Sequence, residues 1–415
     1  MRVLIIGAGP AGLTVAETLR QYDRAADIVM ISAEPFPPYA PPAMADYFMT
    51  GRQETLFWKG RDICRRLGVE HREDARVQTV RPAPKEVVLG DGNVLGYDRL
   101  VIASGSSLYA PLKGHDLPGV YDFKSLRAAH ALVKQVKSKA GGKAVIVGAG
   151  FIGVEIALLL RALGVAVTIV EMADRVMPRM LEPETAEIVR SATSARGVEV
   201  RLNTKAAAFT GSRKATGVQL ESGEVLKAEV YVAATGVKPH VEFLAGSGID
   251  LGWGVRVDER LRTNVPGIFA AGDVAETYDR LTGERYVHAI FPNAVAQAGV
   301  VAQNLLGFDT RYEGAEAMNS LKHLGLPVMA VGAMTGEEQL RSRHGNALRK
   351  IFLSKGRIVG FRLAGDIRAA GVYRALMLTR ADVRDLKERL LDPSFSAGAL
   401  ALEAAAGRLD LRASL

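Results

Sequence analysis

Val3-Leu4-Ile5-Ile6-Gly7-Ala8-Gly9-Pro10-Ala11-Gly12 and Ala144-Val145-Ile146-Val147-Gly148-Ala149-Gly150-Phe151-Ile152-Gly153 carry one pattern twice. Each is a short apolar run that breaks into Gly-x-Gly-x-x-Gly and resumes as an apolar helical pattern. In such a unit the first glycine makes a tight turn and the second lets backbone approach a pyrophosphate. The third lets helix pack closely on strand. The helix N-terminus then offers unpaired N–H groups and the positive end of its dipole to the phosphates. One fingerprint is a weak signal. Two, each opening its own βαβ unit, imply two dinucleotide sites in one chain and electron passage between their occupants.

Around the first fingerprint, the pattern predicts a strand over 2–6, a helix over 10–22 and a strand over 27–32. Pro35-Phe36-Pro37-Pro38-Tyr39-Ala40-Pro41-Pro42 follows, a stretch that cannot be helix interior. Helical patterns come near 43–50 and 60–67, then strands leading to Ala103-Ser104-Gly105, and a helix near 124–138. Around the second fingerprint the pattern predicts a strand over 143–147, a helix over 151–163 and a strand over 165–171. Further strands are expected at 198–202, 217–220 and 229–233, and a helix near 293–306. Beyond about residue 316 the pattern changes to strands at 327–332, 348–353 and 357–364, followed by helices near 366–379 and 382–391. This reads as a separate α+β domain, with the alanine-rich stretch 397–415 as a helix or a loosely attached tail.

The chain has 415 residues, enough for two or three cores, and its 48% hydrophobic and 24% charged content is that of a globular protein. Its longest apolar stretch, 144–160, contains Glu155 and is explained by the fingerprint, so no membrane association is expected. The apolar run after Met1-Arg2 has the glycine motif inside it and no small-residue cleavage site, which reads as cytoplasmic. Cys64 is the single cysteine. That count excludes an intrachain disulfide, a redox dithiol, a cysteine-held zinc and a four-cysteine iron–sulfur cluster. Arginines flank Cys64 and could lower its pKa, but the plain reading is a small half-buried helix residue. The formal charge is +8. Cations are dense over 341–389 and interleave with apolar residues, which suits a solvated face or a docking surface for an acidic partner. Nucleic acid is not expected, because no matching motif accompanies the charge.

An acidic residue about 20 positions past each fingerprint is the expected partner of the adenosine ribose hydroxyls. Glu34 and Glu171 hold those places. A carboxylate there accepts from a free 2′-hydroxyl and repels a 2′-phosphate, so Glu171 favours NADH over NADPH. Arg175, four residues on, is the one neighbour that could receive a phosphate. The histidines show no ligand spacing. His288 alone, before Ala289-Ile290-Phe291-Pro292-Asn293, is a candidate for tuning a bound ring.

Four segments together resemble the FAD-dependent pyridine nucleotide–disulfide oxidoreductase superfamily. They are the two fingerprints, the second with Glu155, the strand ending Ala103-Ser104-Gly105, and Thr263-Asn264-Val265-Pro266-Gly267-Ile268-Phe269-Ala270-Ala271-Gly272-Asp273. The resemblance implies an α/β fold with two Rossmann-like domains, for FAD and NAD, plus a C-terminal α+β interface domain. The implied boundaries are 1–110 and 240–315 for FAD, 111–239 for NAD, and 316–415 for the interface domain and tail. It implies FAD contacts at Gly7, Gly9, Pro10, Ala11, Gly12, Glu34, Val77, Ala103, Ser104, Gly105, Gly272, Asp273 (on the ribityl chain) and Phe291. It implies NAD contacts at Gly148, Gly150, Phe151, Ile152, Gly153, Glu171, Thr235 and Gly236. Leu348-Arg349-Lys350-Ile351-Phe352-Leu353 and Ile358-Val359-Gly360-Phe361-Arg362-Leu363-Ala364-Gly365-Asp366 are similar to the closing domain of the rubredoxin reductase-like and nitrite reductase-like branch.

Departures narrow the expectation further. Relatives that reduce disulfides carry cysteine after the first βαβ unit, where this chain has Pro38-Tyr39-Ala40-Pro41-Pro42-Ala43-Met44. Pro41 and Asp46 stand where ferredoxin and rubredoxin reductases place Arg or Lys, so the role of Glu155, that lysine's usual partner, is open. Glu155 is the one tentative catalytic candidate. The cysteine-free segment resembles the flavoprotein subunits of phenylglyoxylate dehydrogenase-type and tungsten aldehyde oxidoreductase complexes. The expected function is hydride transfer between NADH and FAD, with single electrons exchanged with an acidic iron–sulfur protein or subunit. It could run toward NAD reduction inside a hetero-complex or homo-oligomer. The alternatives are a stand-alone NADH oxidase and a non-enzymatic NADH-sensing flavoprotein.

Overall fold

The computed structural model describes residues 1–138 and 141–405. The chain folds into two compact units that it enters more than once. The first takes 1–111, the segment from Val120 through the helix Leu126–Lys137, and 235–315; the second takes 112–119, 141–234 and the chain from Glu316 onward.

The first unit is built on a five-stranded parallel sheet. Its order is Ile268–Ala270, Arg99–Ile102, Arg2–Ile6, Asp27–Ile31 and Glu70–Arg72. Val3, Leu4 and Ile5 are inaccessible to solvent, as are Leu100, Val101 and Ile102. Covered on both faces, these strands are continuously apolar rather than alternating. The helices Pro10–Tyr22 and Phe291–Leu305 pack against each other in this core, and both begin with proline in the first turn, where no N–H is needed. A three-stranded antiparallel sheet, Val77–Arg81, Glu86–Leu89 and Val94–Gly96, completes the unit with the ribbon Ser106–Tyr109 and Gly236–Pro239.

The second unit repeats the theme. Val198–Arg201, Ala166–Val170, Lys143–Val147 and Val230–Ala233 run parallel in that order, with the helix Phe151–Ala162 beside them. Its C-terminal part is an antiparallel sheet ordered Met318–Leu321, Val328–Gly332, Arg357–Ala364, Ala347–Ser354 and Glu338–His344, with the helix Ala370–Leu378 on it.

Two features differ from the expected boundaries. The segment 120–138 belongs with the first unit, because the N–H of Leu126 donates to the Tyr39 hydroxyl (2.9 Å) and that of Arg127 to Glu34 Oε1 (2.8 Å). The C-terminal sheet is not separate but closes onto the helix Pro183–Ala195. There Lys350, almost inaccessible, places its ammonium 2.7 Å from Glu182 and 2.6 Å from Glu184. A cation buried that deeply between two carboxylates ties the sheet to the helix. The expected C-terminal helices are shorter than predicted, at Ala370–Leu378 and Lys387–Leu391. Ala397–Ala405 is helical, and the rest of the expected tail, 406–415, lies outside the described residues.

Candidate functional site

The two fingerprints fold into the same local geometry. Gly7 and Gly148 take φ of +112° and +105°, which side chains rarely adopt, and their N–H groups donate to the last carbonyl of the neighbouring strand, Ile31 and Val170, each at 2.8 Å. At the third glycine a Cβ would lie 2.0 Å from the Gly7 carbonyl oxygen for Gly12, and 2.2 Å from that of Gly148 for Gly153. The middle glycines are different. A Cβ on Gly9 would meet nothing within 4 Å, and one on Gly150 only the Ala234 oxygen at 4.0 Å. Among the described residues no side chain caps the helix after either one. Two open, uncapped helix N-termini fit the pyrophosphates of two dinucleotides.

The two acidic residues are oriented in advance. Glu34 Oε1 accepts from the Arg127 N–H, and Oε2 from the Tyr39 hydroxyl at 2.7 Å. Burial, then the Glu34 carboxylate beside it, pushes the Tyr39 hydroxyl well above the ordinary tyrosine pKa, so it stays a donor. Glu171, buried, accepts from the Ala149 N–H within its own fingerprint (2.8 Å) and from the Ala173 N–H (2.9 Å). Each oxygen keeps a lone pair for a ribose hydroxyl. Arg175 is committed elsewhere, to Asp174 at 2.7 Å and the Leu181 carbonyl at 3.2 Å.

Asp273 stands beyond the Gly272 turn (φ +81°), whose N–H donates to the buried Gln297 at 2.7 Å. A Cβ on Gly272 would lie 3.1 Å from that of Ala11 and 3.6 Å from that of Ala294. The first fingerprint helix, the Asp273 turn and the start of the helix that Phe291 opens therefore meet in one place. Ser104 and Gly105 join them through His240: the Ser104 hydroxyl donates to the His240 carbonyl (2.8 Å) and the His240 N–H to the Gly105 carbonyl (3.0 Å). Ala103 is buried behind its strand. Val77 begins a strand two residues past Ala75, whose N–H donates to the Ser32 carbonyl (2.8 Å), next to Glu34. These FAD candidates are gathered in one unit.

Three participants escaped the sequence reading. Lys124 Nζ lies 2.6 Å from Asp273 Oδ2, and the Ser106 hydroxyl donates to the same oxygen at 3.0 Å. Tyr39, inside the proline-rich stretch, holds Glu34. The Tyr39 position carried a signal, a large aromatic five residues past the acidic residue. Lys124 had none, because its partner is 149 positions away.

Of the NAD candidates, Gly148, Gly150, Phe151, Ile152, Gly153 and Glu171 lie together in the second unit. Thr235 and Gly236 do not. They belong to the first, where the Thr235 hydroxyl donates to the Tyr109 carbonyl (2.9 Å) and Gly236 pairs with Tyr109. Glu155 is half-buried on the helix Phe151–Ala162. His288 Nε2 lies 2.9 Å from Asp279 Oδ2. Burial by itself would raise the Asp279 carboxyl; the His288 hydrogen bond and the Thr282 and Leu281 N–H groups outweigh it and hold it at about 2. Cys64 sits in the core, and burial, with Glu73 adding, pushes its thiol up to about 11. The flanking arginines do not activate it: Arg65 and Arg66 are engaged by Asp62. No group of metal-ligating side chains occurs among the described residues, and no described helix is long and apolar enough to cross a membrane.

Comparison with known proteins agrees with this geometry. The family model for pyridine nucleotide-disulphide oxidoreductases matches residues 1–298. A protein of Methanocaldococcus jannaschii named NADH oxidase is 30% identical over 399 residues, covering 89% of each chain. The NADH-dependent phenylglyoxylate dehydrogenase subunit epsilon of Aromatoleum evansii is 28% identical over 414 residues, 96% of each. The crystal structure of the ferredoxin reductase for the CYP199A2 system of Rhodopseudomonas palustris superposes with a TM-score of 0.85 at 27% identity, covering 96% of this chain and 99% of that one. With two matching nucleotide cradles and a family model spanning both, the chain belongs to the pyridine nucleotide-disulphide oxidoreductase family.

Proposed function

We propose that this chain is an NADH-linked FAD oxidoreductase that exchanges electrons with an acidic iron–sulfur protein or subunit, without thiol chemistry of its own. The observation that carries this is the pair of open glycine cradles in a chain whose single thiol is buried and held protonated. Bound FAD would accept the hydride of NADH and pass electrons on singly, chemistry that protein side chains do not supply. The chain's own part is to bind and orient. Gly9 receives the FAD pyrophosphate with Gly12 packing the helix against the turn, Glu34 under Tyr39 takes the adenosine ribose, and Asp273 the ribityl chain. Gly150 and Glu171 do the corresponding work for NADH, with Gly153 packing its helix against the turn. Glu171 and the committed Arg175 support NADH over NADPH, since neither offers a 2′-phosphate a free cation. The iron–sulfur partner is supported by likeness to a ferredoxin reductase and to a phenylglyoxylate dehydrogenase subunit, and its acidity by the charge of +8. Cytoplasmic residence belongs to the same proposal and is supported by the lone buried thiol.

The test is anaerobic mixing of the FAD-loaded protein with NADH, followed by addition of ferredoxin or rubredoxin. Rapid bleaching of the flavin band and rapid re-oxidation by the iron–sulfur protein are expected. Fast turnover with oxygen, and none with either protein, would favour a stand-alone NADH oxidase, the reading to which the Methanocaldococcus jannaschii relative points.

A further inference from the structure

A cavity of about 200 Å³ opens in the second unit beside the loop that follows Glu171, lined by Asp174, Arg175, Val176, Pro183, Arg190 and Leu202, with Ala186 and Glu187 completing it. Its position relative to the second fingerprint is fixed by backbone. Glu171 grips Ala149 of the fingerprint on one side and Ala173 on the other. The N–H groups of Asn203 and Thr204 donate to the carbonyls of Ala173 (2.9 Å) and Glu171 (2.8 Å), which brings Leu202 alongside. A nucleotide seated on Gly150 with its ribose at Glu171 therefore has its 2′ edge directed toward this cavity.

Two guanidiniums line it, as a 2′-phosphate would require, but each is neutralised from within. Arg175 Nη1 lies 2.7 Å from Asp174 Oδ1. Arg190 makes a two-pronged contact with Glu187, both bonds at 2.7 Å. Asp174 and Glu187 thus cancel the two guanidiniums within the lining, and a phosphate dianion would meet no uncompensated positive charge there. Arg–phosphate recognition needs the fork of the guanidinium free. Selectivity of this kind comes from a group that disfavours the wrong ligand as much as from one that favours the right one.

We infer that Asp174 is a specificity-determining residue: by holding Arg175 it keeps the cavity beyond Glu171 closed to the 2′-phosphate of NADPH. This rests on the proposed placement of NADH at the second fingerprint. Asp174 is about two-thirds exposed and its carboxylate supports no other described hydrogen bond, so its charge can be removed without disturbing the core.

The experiment is calorimetric titration of the FAD-loaded protein with NAD and with NADP, for the wild type, Asp174→Asn and the double variant Asp174→Asn/Arg175→Ala, with the flavin spectrum checking the fold. Asp174→Asn is expected to raise NADP affinity about tenfold while leaving NAD affinity within about twofold. The double variant should lose that gain. A wild type that prefers NAD, with no gain in Asp174→Asn, overturns the role of Asp174 and leaves the NADH reading standing. A gain that survives loss of Arg175 overturns the mechanism through Arg175. A wild type that binds NAD and NADP equally overturns the NADH reading, and this inference with it.

Discussion

Replacing the second and third glycines of the NAD fingerprint separates binding from packing. In Gly153→Ala the new Cβ would stand 2.2 Å from the Gly148 carbonyl oxygen, which is backbone and cannot rotate away. Ordinary contact requires about 1 Å or more of retreat by the helix or the turn. Overpacking of this kind costs about 1–3 kcal/mol, while alanine regains about 1 kcal/mol over glycine inside a helix. The net is a destabilisation of up to about 2 kcal/mol, with Tm lowered by roughly 2–4 °C for each kcal/mol. NADH affinity should also fall about tenfold, because the turn that presents the N–H groups moves. Gly150→Ala is the control. Its φ of −69° suits alanine, and its Cβ would meet only an oxygen at 4.0 Å, so Tm should hold. Its methyl group occupies the space assigned to the pyrophosphate, so NADH affinity should still fall about tenfold or more. Scanning calorimetry and NADH titration read the two quantities separately. Wild-type NADH affinity in Gly150→Ala would refute the assignment of that space, and wild-type Tm in Gly153→Ala would refute the packing account.

Further outcomes are expected elsewhere. Lys350→Met leaves Glu182 and Glu184 facing each other without their shared ammonium, and should destabilise the second unit by about 3 kcal/mol in urea titration. Hydrogen bonding from Arg341, then from Lys350, outweighs burial and holds the Glu184 carboxyl at about 2, below its ordinary 4.5. That stabilisation is complete above the ordinary value and is lost as pH falls toward 2; Arg341→Gln should flatten the acid limb of Tm against pH. Tyr39→Phe removes a donor from Glu34 and should weaken FAD about tenfold, read by flavin release on dilution. Cys64, with its thiol pushed up to about 11, should resist thiol reagents at pH 8 in the folded protein, and Cys64→Ser should leave electron transfer unchanged.

The parallel strands and the helices that follow the glycine fingerprints were legible along the chain, because glycine spacing and uninterrupted apolar runs are local signals. Where the signal is not local, the reading failed. The helix Pro183–Ala195 went unread although Pro183 stands at its first position and the Glu182 side chain caps it at the Thr185 N–H (3.1 Å). Glutamate is an unusual cap, and the apolar stripe of that helix is short. Glu338–His344 is a mostly exposed strand at the edge of its sheet, and edge strands lack the apolar alternation that marks a paired interior one. Thr235 and Gly236, which the family resemblance assigns to NAD, follow the strand Val230–Ala233 of the second unit. Pairing with Ser106–Tyr109 puts them in the first.

By itself the sequence determined that there are two cradles, which carboxylate follows each, and that no second cysteine exists to carry thiol chemistry. These are facts of spacing and count, and a turn that only glycine can make is written in the glycines. Tertiary structure alone decided how the carboxylates are used: Glu34 set by a buried tyrosine, Glu171 clasping its own fingerprint, and Asp273 paired with a lysine 149 positions away. Hydrogen bonds and ion pairs act over about 3 Å in space, whatever their separation along the chain.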